Sequence, residues 1–170
     1  MYDLTLRLMS QELAVIYDLE TFGGSPAGRT LAERKSGGKT KSGIVTLTIS
    51  EPLPAMKWLT EAVEEHWKAT LHAAISEAAR LGPLLWFEKA FVVIKIVTPK
   101  GSDNTKVWDT SNRAIQVVLN NLKGIFFEDD NMEHMAFSVN GEWGGEGCTT
   151  IQILDFERLR QVWNRETMSF

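Results

Sequence analysis

Three carboxylates are spaced so that they could do chemistry together. Asp109 follows Trp108 at the head of "DTSNRAIQVVLNNLKG". Asp129 and Asp130 form a doublet in "FFEDDNMEH", twenty and twenty-one residues further on. Ionised carboxylates are ligands for hard cations. Magnesium keeps several of its waters, so two carboxylates and a substrate phosphate are enough to hold it. An ion held in this way stabilises charge on a scissile phosphate and activates water for in-line attack. Each carboxylate also has a local explanation. Asp109 stands where a loop becomes a helix, beside Thr110, Ser111 and Asn112, any of which can cap it. An Asp-Asp pair followed by Asn suits a polar turn. Spacing alone favours the cap and the turn. The metal reading requires the chain after the helix to run back against it and return the doublet to the helix start.

The elements that must position these residues show in the hydrophobic pattern. "IVTLTIS" is β-branched and stops at "EPLP", whose prolines cannot continue a central strand. Met56, Leu59, Val63, Trp67, Leu71, Ile75 and Ala78 then recur at steps of three and four. That is one apolar stripe of a long helix ended by Gly82 and Pro83. "KAFVVIKIVTP" is the most strand-like run in the chain. In the quoted stretch, Ile115, Val118, Leu119 and Leu122 predict an amphipathic helix, with Gly124 as its left-handed cap. "MEHMAFSVN" and "TTIQIL" predict two strands. "DFERLRQVWNRE" predicts a closing helix with Asp155 near its N-terminus. The order strand, helix, strand, helix, strand, strand, helix implies an α+β fold, a mixed sheet packed by helices. His66 and His72 are six apart on the long helix and do not share a face as a metal pair would. Trp58, Trp67 and Trp86 are expected in the core. Trp108 is expected there too, with stacking on a base as its alternative.

Residues 1–42 differ from the rest. Two short helices around Gly23 and Gly24 form a candidate appendage, and "GGKTKSG" reads as a basic, flexible linker to a domain spanning 43–170. That glycine-rich stretch lacks the glycine and the preceding strand that a phosphate-binding loop needs. Cys148 is the sole cysteine, which excludes an internal disulfide and a cysteine-based zinc site. No apolar run is long enough to span a bilayer and no secretory signal is evident, so a cytoplasmic location is expected. The net charge of −4 hides a sharp sorting. Arg29, Arg34, Lys35, Lys39 and Lys41 face a single acid, Glu33, in their segment. Between Gly124 and Gly147 there are six acids and no lysine or arginine. Such a chain offers phosphates a cationic arm and a cation an acidic pocket. Taken singly, each run is also an ordinary solvated loop.

Residues 44–154 resemble the RusA family of Holliday junction resolvases, small phage-associated endonucleases. The resemblance rests on the first strand running into Pro52 and Pro54, the long helix, and "FVVIKIVTP". It continues through "DTSN" at a helix start, Gly124 before apolar residues, and "EDDNMEHM". Asp109, Asn112, Asp129 and Asp130 stand where the family has its acidic and asparagine positions. The resemblance implies a homodimeric endonuclease using Mg²⁺ or Mn²⁺ on branched DNA. Asp109, Asp129 and Asp130 would be catalytic, with Asp109 and Asp130 binding the metal. Arg29, Arg34, Lys35, Lys39, Lys41, Asn112 and Arg113 are the candidate contacts to DNA. The chain departs from the family at Ser111, where many members carry a second aspartate. It also lacks a lysine early in the helix, where Ile115 to Val118 stand; Lys123 lies at the far end. The alternative is a nuclease-inactive protein on the same scaffold. It would bind DNA or inhibit a host nucleic-acid enzyme, such as a CRISPR effector, using the acidic segment from Glu128 to Glu146 as a phosphate mimic.

Overall fold

A computed structural model describes residues 36–99 and 113–159. Its strands are β1 (Ser36–Lys41), β2 (Ile44–Ile49), β3 (Ala90–Pro99), β4 (Met135–Gly144) and β5 (Cys148–Asp155). Helix α1 (Glu61–Leu81) joins β2 to β3, and α2 (Ile115–Leu122) lies between β3 and β4. The strands form one mixed sheet in the order β1-β2-β5-β3-β4; β3 and β4 are parallel and the other neighbours antiparallel. From Ile44 onward the elements follow the order read from the sequence.

Alternation decides which face is buried. Val45, Leu47 and Ile49 on β2 point the same way as Ile153, Ile151 and Thr149 on β5, and as Val92, Ile94 and Ile96 on β3. The central row runs Gly38–Leu47–Ile151–Ile94–Val139 across all five strands. Trp67, Leu71, Ala74, Ile75 and Ala78 of α1 pack on this face, with Val117, Val118, Leu119 and Leu122 of α2 in the same core. Both helices therefore cover one side of the sheet. Fully burying such side chains contributes about 1.5–3 kcal/mol each.

Several expectations change. Residues 36–41, read as linker, form β1, so the sheet begins before the expected boundary at 42/43. Gly38 serves contact rather than flexibility. A Cβ on Gly38 would lie 2.0 Å from the Ala74 carbonyl oxygen, because α1 crosses directly over β1. Met56–Trp58 form a short 3-10 turn instead of the first turn of the helix, and α1 starts after Thr60, whose side chain accepts from the Val63 N–H. Trp58 and Trp86 are exposed, while Trp67 is buried. Asp155 accepts from the Glu157 N–H as residues 156–159 turn helical, as its position suggested. The two expected N-terminal helices and Trp108 lie outside the described residues. No helix among the described residues is long and apolar enough to cross a membrane.

Candidate functional site

The helix carrying the motif begins later than its polar residues suggested. α2 starts at Ile115 with Ala114 as its N-cap, and no side chain caps it. Arg113 is held in an isolated bridge to Ala55, and its guanidinium donates to the Leu53 carbonyl oxygen at 2.9 Å. The Ala114 N–H donates to the Pro54 carbonyl oxygen at 3.0 Å. The segment leaving β2 is fixed in turn by the buried Thr149. Its hydroxyl donates to the Glu51 carbonyl (2.9 Å) and accepts from the Leu53 N–H (2.8 Å). Glu51 also pairs with His66 of α1. Arg113, a candidate DNA contact, thus anchors the start of α2 to this segment.

The eight residues of α2 span about 12 Å at 1.5 Å per residue. Its end is closed by Gly124 at φ 75°, the left-handed cap expected there. The chain does not then run back along the helix. The Gly124 N–H donates to the Phe127 carbonyl, Phe126 N–H returns to the Leu122 carbonyl, and both phenylalanines are fully buried. The Phe87 N–H donates to the Phe126 carbonyl, tying this turn to the approach to β3. The turn delivers Asp129 and Asp130 to the C-terminal end of α2, the end away from Arg113. Asp109 and Asn112 lie outside the described residues. So do Arg29, Arg34 and Lys35.

The doublet is shaped by its neighbours. The Asp130 N–H donates to Asp129 Oδ1 (3.0 Å), and Asn131 Nδ2 donates to Asp129 Oδ2 (3.2 Å). Asn131 Oδ1 accepts from the Glu133 and His134 N–H groups, an Asx turn that leads into β4. Lys123, at the C-cap of α2, donates from Nζ to Asp130 Oδ1 at 3.2 Å and lies 3.6 Å from Asp129 Oδ1. The hydrogen bond to Asp130 and that carboxylate's charge raise the Lys123 ammonium above its ordinary value. Asp129 is lowered below the usual carboxylate value, first by the Asp130 N–H and least by the Lys123 charge. Sequence spacing placed Lys123 at the far end of the helix and did not link it to the doublet. The turn at Gly124 brings it there, seven residues before Asp130.

Of the basic arm, the described Lys39 and Lys41 do not join this cluster. Lys39 and Lys41 sit on β1, at the opposite edge of the sheet from β4. Four strand spacings, about 19 Å, separate those edges. As a cation site, the doublet has the hard oxygen chemistry that Mg²⁺ requires. Among the described residues no group of three or more His, Cys, Asp or Glu is placed to hold a metal ion. The return of the doublet to the start of α2, which a site shared with Asp109 was expected to need, is not found, and Asp109 lies outside the described residues. Set against known proteins, the chain matches no family model and no curated sequence.

Proposed function

We propose that the protein is a RusA-like, metal-dependent endonuclease that hydrolyses phosphodiester bonds at branched DNA, acting as a homodimer. The observation that carries this reading is the ammonium of Lys123 beside Asp130. The sequence lacks the lysine expected early in the helix, and Lys123 supplies a cation at the acidic doublet from the other end. A positioned cation that meets charge developing on a phosphate is the kind of contribution worth orders of magnitude in rate. Asp129 and Asp130 would be the oxygen ligands, and Asp109 would complete the site from the segment before Arg113, across the roughly 12 Å length of α2. A bound Mg²⁺ would neutralise phosphate charge and lower the pKa of a coordinated water. With a cation held there, Asp130 would give up its hydrogen bond with Lys123, leaving the ammonium to face the phosphate. In the reaction a water oxygen bonds to phosphorus as the bond from phosphorus to the leaving sugar oxygen breaks. The water's proton is lost to solvent, and the leaving sugar oxygen takes a proton from solvent.

The same lysine also favours a second reading. Lys123 offsets one of the doublet's two charges, which lessens its need for a metal and suits a nuclease-inactive binding protein or an inhibitor of a nucleic-acid enzyme. A labelled synthetic four-way junction separates the two readings. The nuclease reading expects nicks with Mg²⁺ or Mn²⁺, none in EDTA, and none from Asp109→Asn or Asp130→Asn. Junction binding without cleavage, at high protein concentration and with either metal, would overturn it.

A further inference from the structure

We propose that the free edge of β4 receives an extended segment of a partner protein, one that alternates apolar and basic residues, as a sixth strand of the sheet. β4 pairs with β3 alone, over its ten residues in unbroken parallel register from Ala90 with Met135 to Pro99 with Gly144. The Ala90 N–H donates to the His134 carbonyl. In a parallel ladder the residues on either side of each such partner make the bonds, so the even-numbered residues of β4 bond to β3. The N–H and C=O groups of Phe137, Val139, Gly141 and Trp143 therefore point to the free edge. The same four residues face the helix side of the sheet, paired with Val92, Ile94, Ile96 and Thr98. The helices leave most of this row uncovered. Phe137 is 45% and Trp143 39% exposed, Gly141 is exposed, and Val139 packs against the core. One stretch of chain thus offers open backbone groups and apolar side chains together.

Natural sheets blunt their edges with lysine, proline or bulges, because an open edge templates further pairing. The opposite edge is guarded in this way. β1 carries Lys39 and Lys41 and no apolar residue, and α1 passes directly over Gly38. β4 has no lysine, no proline and no break in its register. Its one charge, Glu142, is paired with Lys95 at 2.8 Å. An edge in this state suits β-augmentation, in which backbone bonds give affinity and alternate side chains give specificity. Charge indicates the occupant. Between Gly124 and Gly147 there is no lysine or arginine. Glu133 precedes the strand and Glu146 follows it; both are exposed, and neither is in an ion pair among the described residues. Basic residues in the incoming strand match this rim, whereas an acidic strand is repelled. Its apolar residues would pair across the strands with Phe137 and Trp143. The edge needs neither nucleic acid nor metal, so it is independent of the proposed cleavage.

Fluorescence anisotropy with the full chain and a labelled peptide that alternates valine and lysine tests it. The controls are the same residues arranged in blocks, and valine alternating with glutamate. The alternating valine–lysine peptide is expected to bind, and both controls to bind about tenfold more weakly or worse. Phe137→Ser and Trp143→Ser are expected to weaken binding by up to about fivefold each. Glu133→Lys and Glu146→Lys, in exposed turns outside the strand, are expected to weaken it roughly threefold each. Amide exchange followed by NMR locates the peptide. Exchange is expected to slow at Phe137, Val139, Gly141 and Trp143, and to change little at Ala136, Ser138, Asn140 and Glu142, which β3 already holds. The proposal is overturned by equal binding of the block peptide, by unchanged affinity in both the Phe137 and Trp143 variants, or by slowing at other amides instead. Slow exchange of the four edge amides in the chain alone also overturns it. If that slowing is independent of concentration, a segment of this chain fills the edge; if it grows with concentration, a second copy does.

Discussion

Gly38→Ala tests whether Gly38 of β1 is there for contact. The added methyl would sit 2.0 Å from the Ala74 carbonyl oxygen and 2.9 Å from Ala78 Cβ. Ordinary contact needs about 3.5 Å, so strand and helix must separate by more than about 1 Å. No rotamer relieves this, because the nearest obstacle is helix backbone. Overpacking of this kind costs about 1–3 kcal/mol, and a backbone obstacle places it at the upper end. Alanine recovers about 0.4–1 kcal/mol by restricting the unfolded chain. The net expectation is a loss of about 2 kcal/mol, or about 4–8 °C in Tm for a chain of this size. Urea titration followed by tryptophan fluorescence measures the change. Gly37→Ala is the internal control, since nothing lies within 4 Å of its added methyl. It is expected to be neutral or slightly stabilising. Ala78→Gly added to Gly38→Ala removes only the second contact and is expected to restore little. Equal stabilities for Gly38→Ala and wild type, within about 0.5 kcal/mol, would refute the close approach of α1 to β1.

Two further outcomes follow from the hydrogen bonds around the site. Thr149→Val keeps the shape of a fully buried residue but leaves the Leu53 N–H and Glu51 carbonyl without their partner. It is expected to cost about 1–3 kcal/mol in the same titration, and an unchanged midpoint would contradict the role given to this hydroxyl. Asp129 is expected to titrate below the usual carboxylate value in a carbon-detected NMR titration. Its lowered value means that its contribution to stability is present above the unfolded value, near pH 4, and is lost as pH falls through the folded one. In Lys123→Met, Asp129 is expected to remain low, since the Asp130 N–H is the larger cause. A full return to the ordinary value would show that the lysine dominates.

What the sequence made legible follows from how strongly each segment declares its period. β3 alternates without interruption and is buried by alternation, and α1 repeats its stripe from Val63 to Ala78, about four turns, so both were readable. β1 was not. "SGGKTK" has no apolar residue to alternate, and its strand state comes from pairing with β2 and from the close passage of α1 over Gly38. Trp58 and Trp86 misled because tryptophan is buried on average, not at every position. The start of α2 misled for a different reason. Asp109 to Asn112 are good caps, yet the contacts of Arg113 and Ala114 with Leu53 to Ala55 delay the helix to Ile115. These contacts link residues some sixty positions apart, which no local pattern announces. The pairing of Lys123 with the doublet depends on the geometry of one left-handed glycine. The candidate site was therefore readable as a set of acids, but not as a cluster with its own cation.

The central claim is that Asp109 and the acidic doublet grip one divalent ion. Paramagnetic broadening by Mn²⁺ in an amide NMR spectrum of the full chain tests it most directly. The account expects the Asp109 and Asp130 signals to broaden together at the same Mn²⁺ ratio, with both effects lost in Asp130→Asn and both reversed by excess Mg²⁺. Broadening at Asp130 while Asp109 stays sharp would contradict it, as would no selective broadening at either.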